Sequence, residues 1–113
     1  NIILIDYKTS KNRKNEKKLK SDMQVQIYSL FMYLEGLIVS GQTIKKIPDK
    51  IIIVYLRDTL EEVSISFNDD ELKQTISTID NIYKNICDND FLPRLGRHCD
   101  YCAYKDLICS EFN

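Results

Sequence analysis

The stretch "ILIDYKTSK", residues 3–11, determines how the rest of the chain is interpreted, because it places two charges within an apolar run. The β-branched and aromatic residues over 2–8 predict a β-strand. Side chains alternate across a strand, so Asp6 and Lys8 are expected on one face and Tyr7 on the other. A carboxylate in such a site could bind Mg²⁺, and an ammonium group beside it could stabilise charge that develops on a phosphate. A surface ion pair on an edge strand would have the same spacing, and this short pattern leaves that alternative open.

Length and composition indicate one globular domain. The chain has 113 residues, of which 43% are hydrophobic and 29% charged. Its longest apolar runs are about half a dozen residues, too short to cross a membrane, and no basic region precedes the apolar patch 2–5 as in a signal peptide. We therefore expect a cytoplasmic protein without a membrane partner. Because the chain opens on Asn1 and enters the strand at once, we interpret it as an N-terminally truncated fragment.

Hydrophobic periodicity predicts the order strand, helix, strand, strand, helix, which is typical of an α/β or α+β fold with a mixed sheet. The strands are expected at residues 2–8, 51–57 and 61–67, with Asp58 to Leu60 as a hairpin turn. Asn68 and Glu71 have the spacing of a capping box that opens the second helix.

The first helix is expected to begin at Ser21 or Asp22, because apolar residues recur at helical spacing from Met23, and to end at Gly41. The segments on either side, 9–20 and 42–50, are expected to be a loop and a connector. The aromatic residues of this helix and of the second strand are expected mostly in the core: Tyr28, Phe31, Tyr33 and Tyr55.

Positive charge is concentrated after the first strand. Between Lys8 and Lys20 there are seven basic residues and one acid, Glu16, although the net charge of the chain is −1. Such a block is often a solvated loop. If the neighbouring strand acts on phosphates, five of these side chains would contact a nucleic-acid backbone: Lys11, Arg13, Lys14, Lys17 and Lys18.

The succession of "IDYKTS", "DMQVQIYSLFMY" and "CDYCAYKDLIC" resembles the PD-(D/E)XK nuclease superfamily, in particular its RecB-like branch, which includes nuclease domains of helicase-nuclease recombination enzymes and CRISPR-associated four-cysteine exonucleases. The resemblance implies a restriction-endonuclease-like mixed sheet flanked by helices. It also implies a DNA exonuclease that hydrolyses phosphodiester bonds in repair or recombination. Residues 1–98 would be a partial nuclease core, and residues 99–113 a cysteine tail packed on the same domain.

The same resemblance implies roles for individual residues. Asp6 would bind Mg²⁺ or Mn²⁺ together with the main-chain carbonyl of Tyr7, and Lys8 would be the catalytic lysine. Gln24 and Tyr28 match the family's Q-x-x-x-Y helix motif and would shape the site. A further acid that the family carries upstream is missing, so we expect the isolated chain to be weakly active or inactive.

Cys99, Cys102 and Cys109 have a C-x2-C-x6-C spacing that favours a metal site over disulfides. Three thiolates suit an iron-sulfur cluster or zinc, and either needs a fourth ligand. The resemblance implies a [4Fe-4S] cluster whose fourth cysteine lies upstream of this chain. Cys87 is expected to be a half-buried thiol and His98 a solvated loop residue.

Two alternatives to a nuclease stay open at this point. The chain could be a non-catalytic DNA-binding or scaffold module that keeps the nuclease fold within a helicase-nuclease assembly, with a helicase domain or subunit as its partner. It could also be a small zinc-binding interaction domain, in which the D-x-K and Q-x-x-x-Y patterns are coincidental. The first predicts salt-sensitive DNA binding without metal-dependent cleavage.

Overall fold

The computed structural model describes residues 1–57 and 60–111. The strands found in these ranges are β1 (Ile3–Lys8), β2 (Leu37–Val39), β3 (Gln42–Ile44), β4 (Lys50–Tyr55) and β5 (Glu61–Ile65). The helices are α1 (Glu16–Lys20), α2 (Met23–Leu34) and α3 (Asp69–Cys87), followed by a short 3₁₀ helix at Arg97–Tyr101. Residues 58 and 59 of the expected hairpin turn lie outside the described residues.

The main sheet has three strands in the order β1-β4-β5. β1 is parallel to β4, and β4 is antiparallel to β5, so the sheet is mixed. This confirms the expected combination of a mixed sheet with helices. The register places the alternate residues of β1 and β4 side by side on one face of the sheet: Leu4 with Ile51, Asp6 with Ile53, and Lys8 with Tyr55.

The hydrophobic core lies against this same face. Ile51 and Ile53 are completely buried, and all three helices contribute apolar residues that pack with them. Burying a side chain of this size stabilises the fold by about 1.5–3 kcal/mol. The helical contributors are Leu19 from α1, Val25 and Leu30 from α2, and Leu72 from α3. The helices therefore cover the face of the sheet that carries Asp6 and Lys8.

The expectation that the first helix continues to Gly41 is wrong. α2 ends at Leu34, and residues 37–39 pair antiparallel with residues 42–44. Gly36 has a φ of +79°, and a Cβ there would lie 2.5 Å from the carbonyl oxygen of Ile44. Only glycine is accommodated in that close turn, which stops the helix and starts the hairpin.

The interpretation of residues 9–20 as a loop is also wrong in part, because Glu16–Lys20 form α1. Asn15 caps this helix, since its side-chain oxygen accepts a hydrogen bond from Lys18 N at 3.0 Å. Leu19 is 1% exposed and joins the core. Packing of this one leucine explains why so short a helix persists within a highly charged segment.

Of the four aromatic residues expected in the core, Tyr55 is buried. The expectation is wrong for Tyr28, Phe31 and Tyr33, which are all exposed on α2. Of these three residues, Phe31 belongs to the apolar repeat of the helix, yet the core is filled from α2 by smaller side chains such as that of Val25.

The chain divides into two compact units, Asn1–Ile79 and Asp80–Asn113. The first contains both sheets, α1, α2 and the start of α3, and with them the candidate catalytic residues. The second contains all the cysteines. No helix in the described part of the chain has the length and apolar character needed to cross a membrane.

Candidate active site

Asp6 and Lys8 form an ion pair at the C-terminal end of β1. The distance from Lys8 Nζ to Asp6 Oδ2 is 2.9 Å, and the two side chains are 26% and 19% exposed. Asp6 Oδ2 itself is buried, and among the described residues its partner is the ammonium group of Lys8. A partly buried carboxylate still has lone pairs for a divalent cation beside such an ion pair, because carboxylate oxygens are ligands that Mg²⁺ prefers. Asp6 thus has the chemistry of a cation ligand.

The carbonyl group of Tyr7 lies at the outer edge of the sheet. The carbonyl oxygens of Ile2 and Lys8 accept hydrogen bonds from Asp49 N and Leu56 N, both at 2.9 Å, so even-numbered residues direct their carbonyls toward β4. Direction alternates along a strand, and the carbonyl of Tyr7 therefore points away from β4. Since β1 is an edge strand in the described sheet, that oxygen accepts no hydrogen bond from a neighbouring strand.

A chain of polar contacts connects β1 to α2. Lys8 Nζ donates a hydrogen bond to Gln24 Oε1. Gln24 Nε2 lies 3.1 Å from the hydroxyl oxygen of Tyr28, to which it donates. The four-residue spacing puts both side chains on one face of α2. The structure therefore brings Asp6, Lys8, Gln24 and Tyr28 together, and their catalytic roles stay a prediction.

Asp22 completes the polar cluster and was not among the expected site residues. It caps α2, because its Oδ1 accepts a hydrogen bond from Gln24 N at 3.0 Å. Its other oxygen forms an ion pair with Lys14. An acid two residues before Gln24 at a helix start is a recognisable N-cap signal, but its proximity to Lys8 depends on how α2 packs against β1.

The electrostatics of the cluster keep its charges in place. The Asp6 carboxylate raises the pKa of Lys8 above the usual lysine value, and Asp22 adds to this effect, while partial burial acts in the opposite direction. The ion pair with Lys14 lowers the pKa of Asp22. At neutral pH Lys8 is therefore an ammonium group. It can donate hydrogen bonds and stabilise negative charge.

The basic residues differ in their surroundings. Arg13 forms an ion pair with Glu61 and donates to the carbonyl oxygen of Arg57 at 3.3 Å. Lys14 pairs with Asp22, and its backbone N–H donates to the hydroxyl of Tyr55 at 2.9 Å. The remaining three members, Lys11, Lys17 and Lys18, are exposed. Their charges face solvent, where a polyanion could reach them.

The ligand set for a metal is small in the described residues. Residues 1–57 and 60–111 contain no cluster of three or more histidine, cysteine or acidic side chains suited to a metal ion. The donors at the candidate site are the carboxylate of Asp6 and the carbonyl of Tyr7. Oxygen donors of this type fit Mg²⁺ or Mn²⁺, which retain water molecules as further ligands.

The cysteines are free thiols. Cys99 and Cys109 are half-buried, and Cys102 is exposed. Cys87 is exposed too, so its expected partial burial is wrong. In the part of the chain that the structure describes, these thiols are not gathered into a metal centre. The iron-sulfur cluster and the zinc alternative both stay predictions.

Comparison with known proteins identifies a family. A model described as the PD-(D/E)XK nuclease superfamily matches residues 1–109. Searches among curated proteins and among solved structures found no match. The matched region contains the D-x-K strand, the helix with Gln24 and Tyr28, and the cysteines. The chain therefore belongs to the PD-(D/E)XK nuclease superfamily.

Proposed function

We propose that this chain is a metal-dependent deoxyribonuclease domain of the RecB-like type that hydrolyses phosphodiester bonds as an exonuclease. One observation carries the proposal: the ammonium group of Lys8 is held between the carboxylate of Asp6 and the amide of Gln24. Membership of a nuclease superfamily supports the same reaction class. A lysine fixed beside a cation-binding carboxylate is suited to chemistry on a phosphate.

Each residue has a role in the proposed mechanism. Asp6 and the Tyr7 carbonyl would hold Mg²⁺ or Mn²⁺, which when bound polarises the phosphate and activates a water molecule. Lys8 donates a hydrogen bond to the phosphate as negative charge develops on its oxygens. A P–O bond to water forms while the P–O bond to the leaving nucleotide breaks; the attacking water loses a proton to solvent, and the leaving oxygen takes one up from solvent. Gln24 orients Lys8, and Tyr28 orients Gln24 through their hydrogen bond.

The basic residues and the cysteines supplement this proposal. Lys11, Lys17 and Lys18 would attract the DNA backbone, Lys14 would contact a backbone phosphate beside its ion pair with Asp22, and Arg13 would act on DNA through the segment that it anchors. The cysteine tail, residues 99–113, would hold a [4Fe-4S] cluster completed by a ligand from elsewhere, with zinc as the alternative. A role in DNA repair and a helicase partner belong to the same proposal.

The test compares cleavage of labelled single- and double-stranded DNA by wild type, Asp6→Asn and Asp70→Asn in Mg²⁺ or Mn²⁺. Asp70 is a matched control, because its carboxylate is 88% exposed and lies 3.6 Å from Lys73. We expect weak metal-dependent cleavage, in line with the single carboxylate at the site, that Asp6→Asn abolishes and Asp70→Asn retains. Equal cleavage by all three proteins would contradict the assignment of Asp6.

A non-catalytic DNA-binding or scaffold module is the second candidate. One observation favours this candidate. Of the two donors proposed for the metal, only Asp6 is a carboxylate, so the described part of the chain supplies few metal ligands. This candidate predicts DNA binding that weakens with salt and shows no cleavage in any metal. Binding of that kind by wild type and by Asp6→Asn alike, without products, would favour it over the nuclease.

A further inference from the structure

A pocket of about 490 Å³ adjoins the candidate active site. Lys8 and Gln24 form part of its lining, and Ser10, Asn12 and Lys14 form another part. Its volume falls within the range of about 300–1,000 Å³ that is typical of small-ligand pockets. The pocket therefore extends the candidate active site from β1 to residues 10–14, which follow it.

The lining favours an anion with several oxygen atoms. It contains the ammonium groups of Lys8 and Lys14 and one carboxylate, that of Asp22, while the Asp6 carboxylate pairs with Lys8 from outside the lining. An ammonium group has three N–H donors. Lys8 contacts Asp6 and Gln24, and Lys14 contacts Asp22, so both retain donors for a ligand. The side-chain amide of Asn12 adds a neutral donor, and the Ser10 hydroxyl, which donates to the carbonyl oxygen of Asn12 at 3.3 Å, would add another by turning toward the ligand.

The floor of the pocket belongs to the hydrophobic core. Tyr55 and Leu19, which also line it, are 2% and 1% exposed and belong to the core. Lys14 is attached to this floor by the hydrogen bond from its backbone N–H to Tyr55. The neighbouring Arg13 is attached to Glu61. Fixed donors bind an anion with a smaller loss of conformational entropy than mobile side chains would.

We propose that this pocket binds a phosphate group of the nucleotide next to the scissile bond, through Lys8, Lys14, Ser10 and Asn12. The identification of that phosphate as part of the substrate rests on the proposed nuclease function. The anion site itself rests on the lining. The pocket would place the nucleic-acid backbone against Lys8 and thereby determine which phosphate meets the Asp6 carboxylate.

The test is a titration of the full chain with inorganic phosphate, followed by the amide signals of a ¹⁵N-labelled sample. We expect saturable shifts at Ser10, Asn12 and Lys14. Ser10→Asp adds a negative charge to the lining and should weaken phosphate binding about tenfold. Thr9→Asp is the matched control, because this exposed neighbour adds the same charge outside the lining, and it should weaken binding less than about twofold.

Asn12→Asp serves as a second lining variant and should behave like Ser10→Asp. Equal effects of the Thr9 and Ser10 variants, with shifts spread over the exposed lysines, would overturn the pocket assignment. If both proposals hold, Asp6→Asn loses DNA cleavage and retains phosphate binding, while Ser10→Asp raises the KM for DNA. Phosphate binding at the pocket without Asp6-dependent cleavage would support the anion site and contradict the nuclease function.

Discussion

Lys8 functions as a fixed positive charge. The Asp6 carboxylate raises its pKa, so deprotonation near neutral pH is disfavoured. A general base works best when its pKa lies near the operating pH. Lys8 is therefore suited to placing the water molecule or stabilising the phosphate, and poorly suited to accepting a proton.

Gln24 should matter for catalysis because it accepts a hydrogen bond from Lys8. A hydrogen bond to a charged group contributes about 1.5–3 kcal/mol, so Gln24→Ala should lower kcat by about tenfold to a hundredfold. KM should change little, since Gln24 acts through Lys8. Steady-state kinetics with labelled DNA measures both quantities. Gln74→Ala, at an exposed position on α3, is the control, and equal kcat values for the two variants would contradict the positioning role.

Asp22 should make stability depend on acid pH. Its folded-state pKa lies below the ordinary value of 3.8, mainly because of Lys14, so its stabilising effect is present above that value and is lost as pH falls further. Asp22→Asn keeps a good N-cap residue but removes the ion pair. Urea unfolding from pH 6 to pH 2 should show that the wild type has the higher free energy of unfolding. The difference from Asp22→Asn should become smaller below about pH 4. A difference that stays constant over this range would contradict the ion pair.

At the scale of elements, the capping box of α3 is predictable from sequence spacing, whereas the turn that ends α2 is not. The capping box of Asn68 and Glu71 was predicted, and both of its hydrogen bonds are present at 2.9 Å. Its atoms lie within one helical turn, so sequence spacing is sufficient. The hairpin of β2 and β3 was missed because Leu37 and Ile38 continue the helical spacing of α2. The close approach of Gly36 to Ile44, which ends that helix, is a tertiary contact.

α1 should depend on Leu19 for its place in the fold. The side chain is 1% exposed within the core, and truncation of such a leucine costs about 2–5 kcal/mol. We therefore expect Leu19→Ala to lower the free energy of unfolding by that amount. Its exposed neighbour offers a control, because Lys18→Ala should change stability by less than about 0.5 kcal/mol. Urea denaturation measures both, and a negligible effect of Leu19→Ala would mean that the segment is a loop.

For the whole molecule, the proposed metal site predicts a coupling between cation binding and stability. A ligand that binds the folded state alone stabilises it by about 2.7 kcal/mol at a hundred times its Kd. Addition of Mn²⁺ should therefore raise the melting temperature of wild type and leave that of Asp6→Asn unchanged. Asp70→Asn should respond as wild type does. An equal rise in all three proteins would indicate that the metal binds elsewhere.

The sequence by itself determined the strand with Asp6 and Lys8 on one face, the spacing of Gln24 and Tyr28, and the mixed α/β class. Each of these follows from the periodicity of a strand or helix, which is a property of neighbouring residues. Tertiary structure alone decided that Gln24 accepts from Lys8, that Asp22 and Lys14 lie beside them, and that Tyr55 and Leu19 form the floor of a pocket. These contacts join residues far apart in the chain, and they exist because the helices and β1 with β4 bury one shared apolar face.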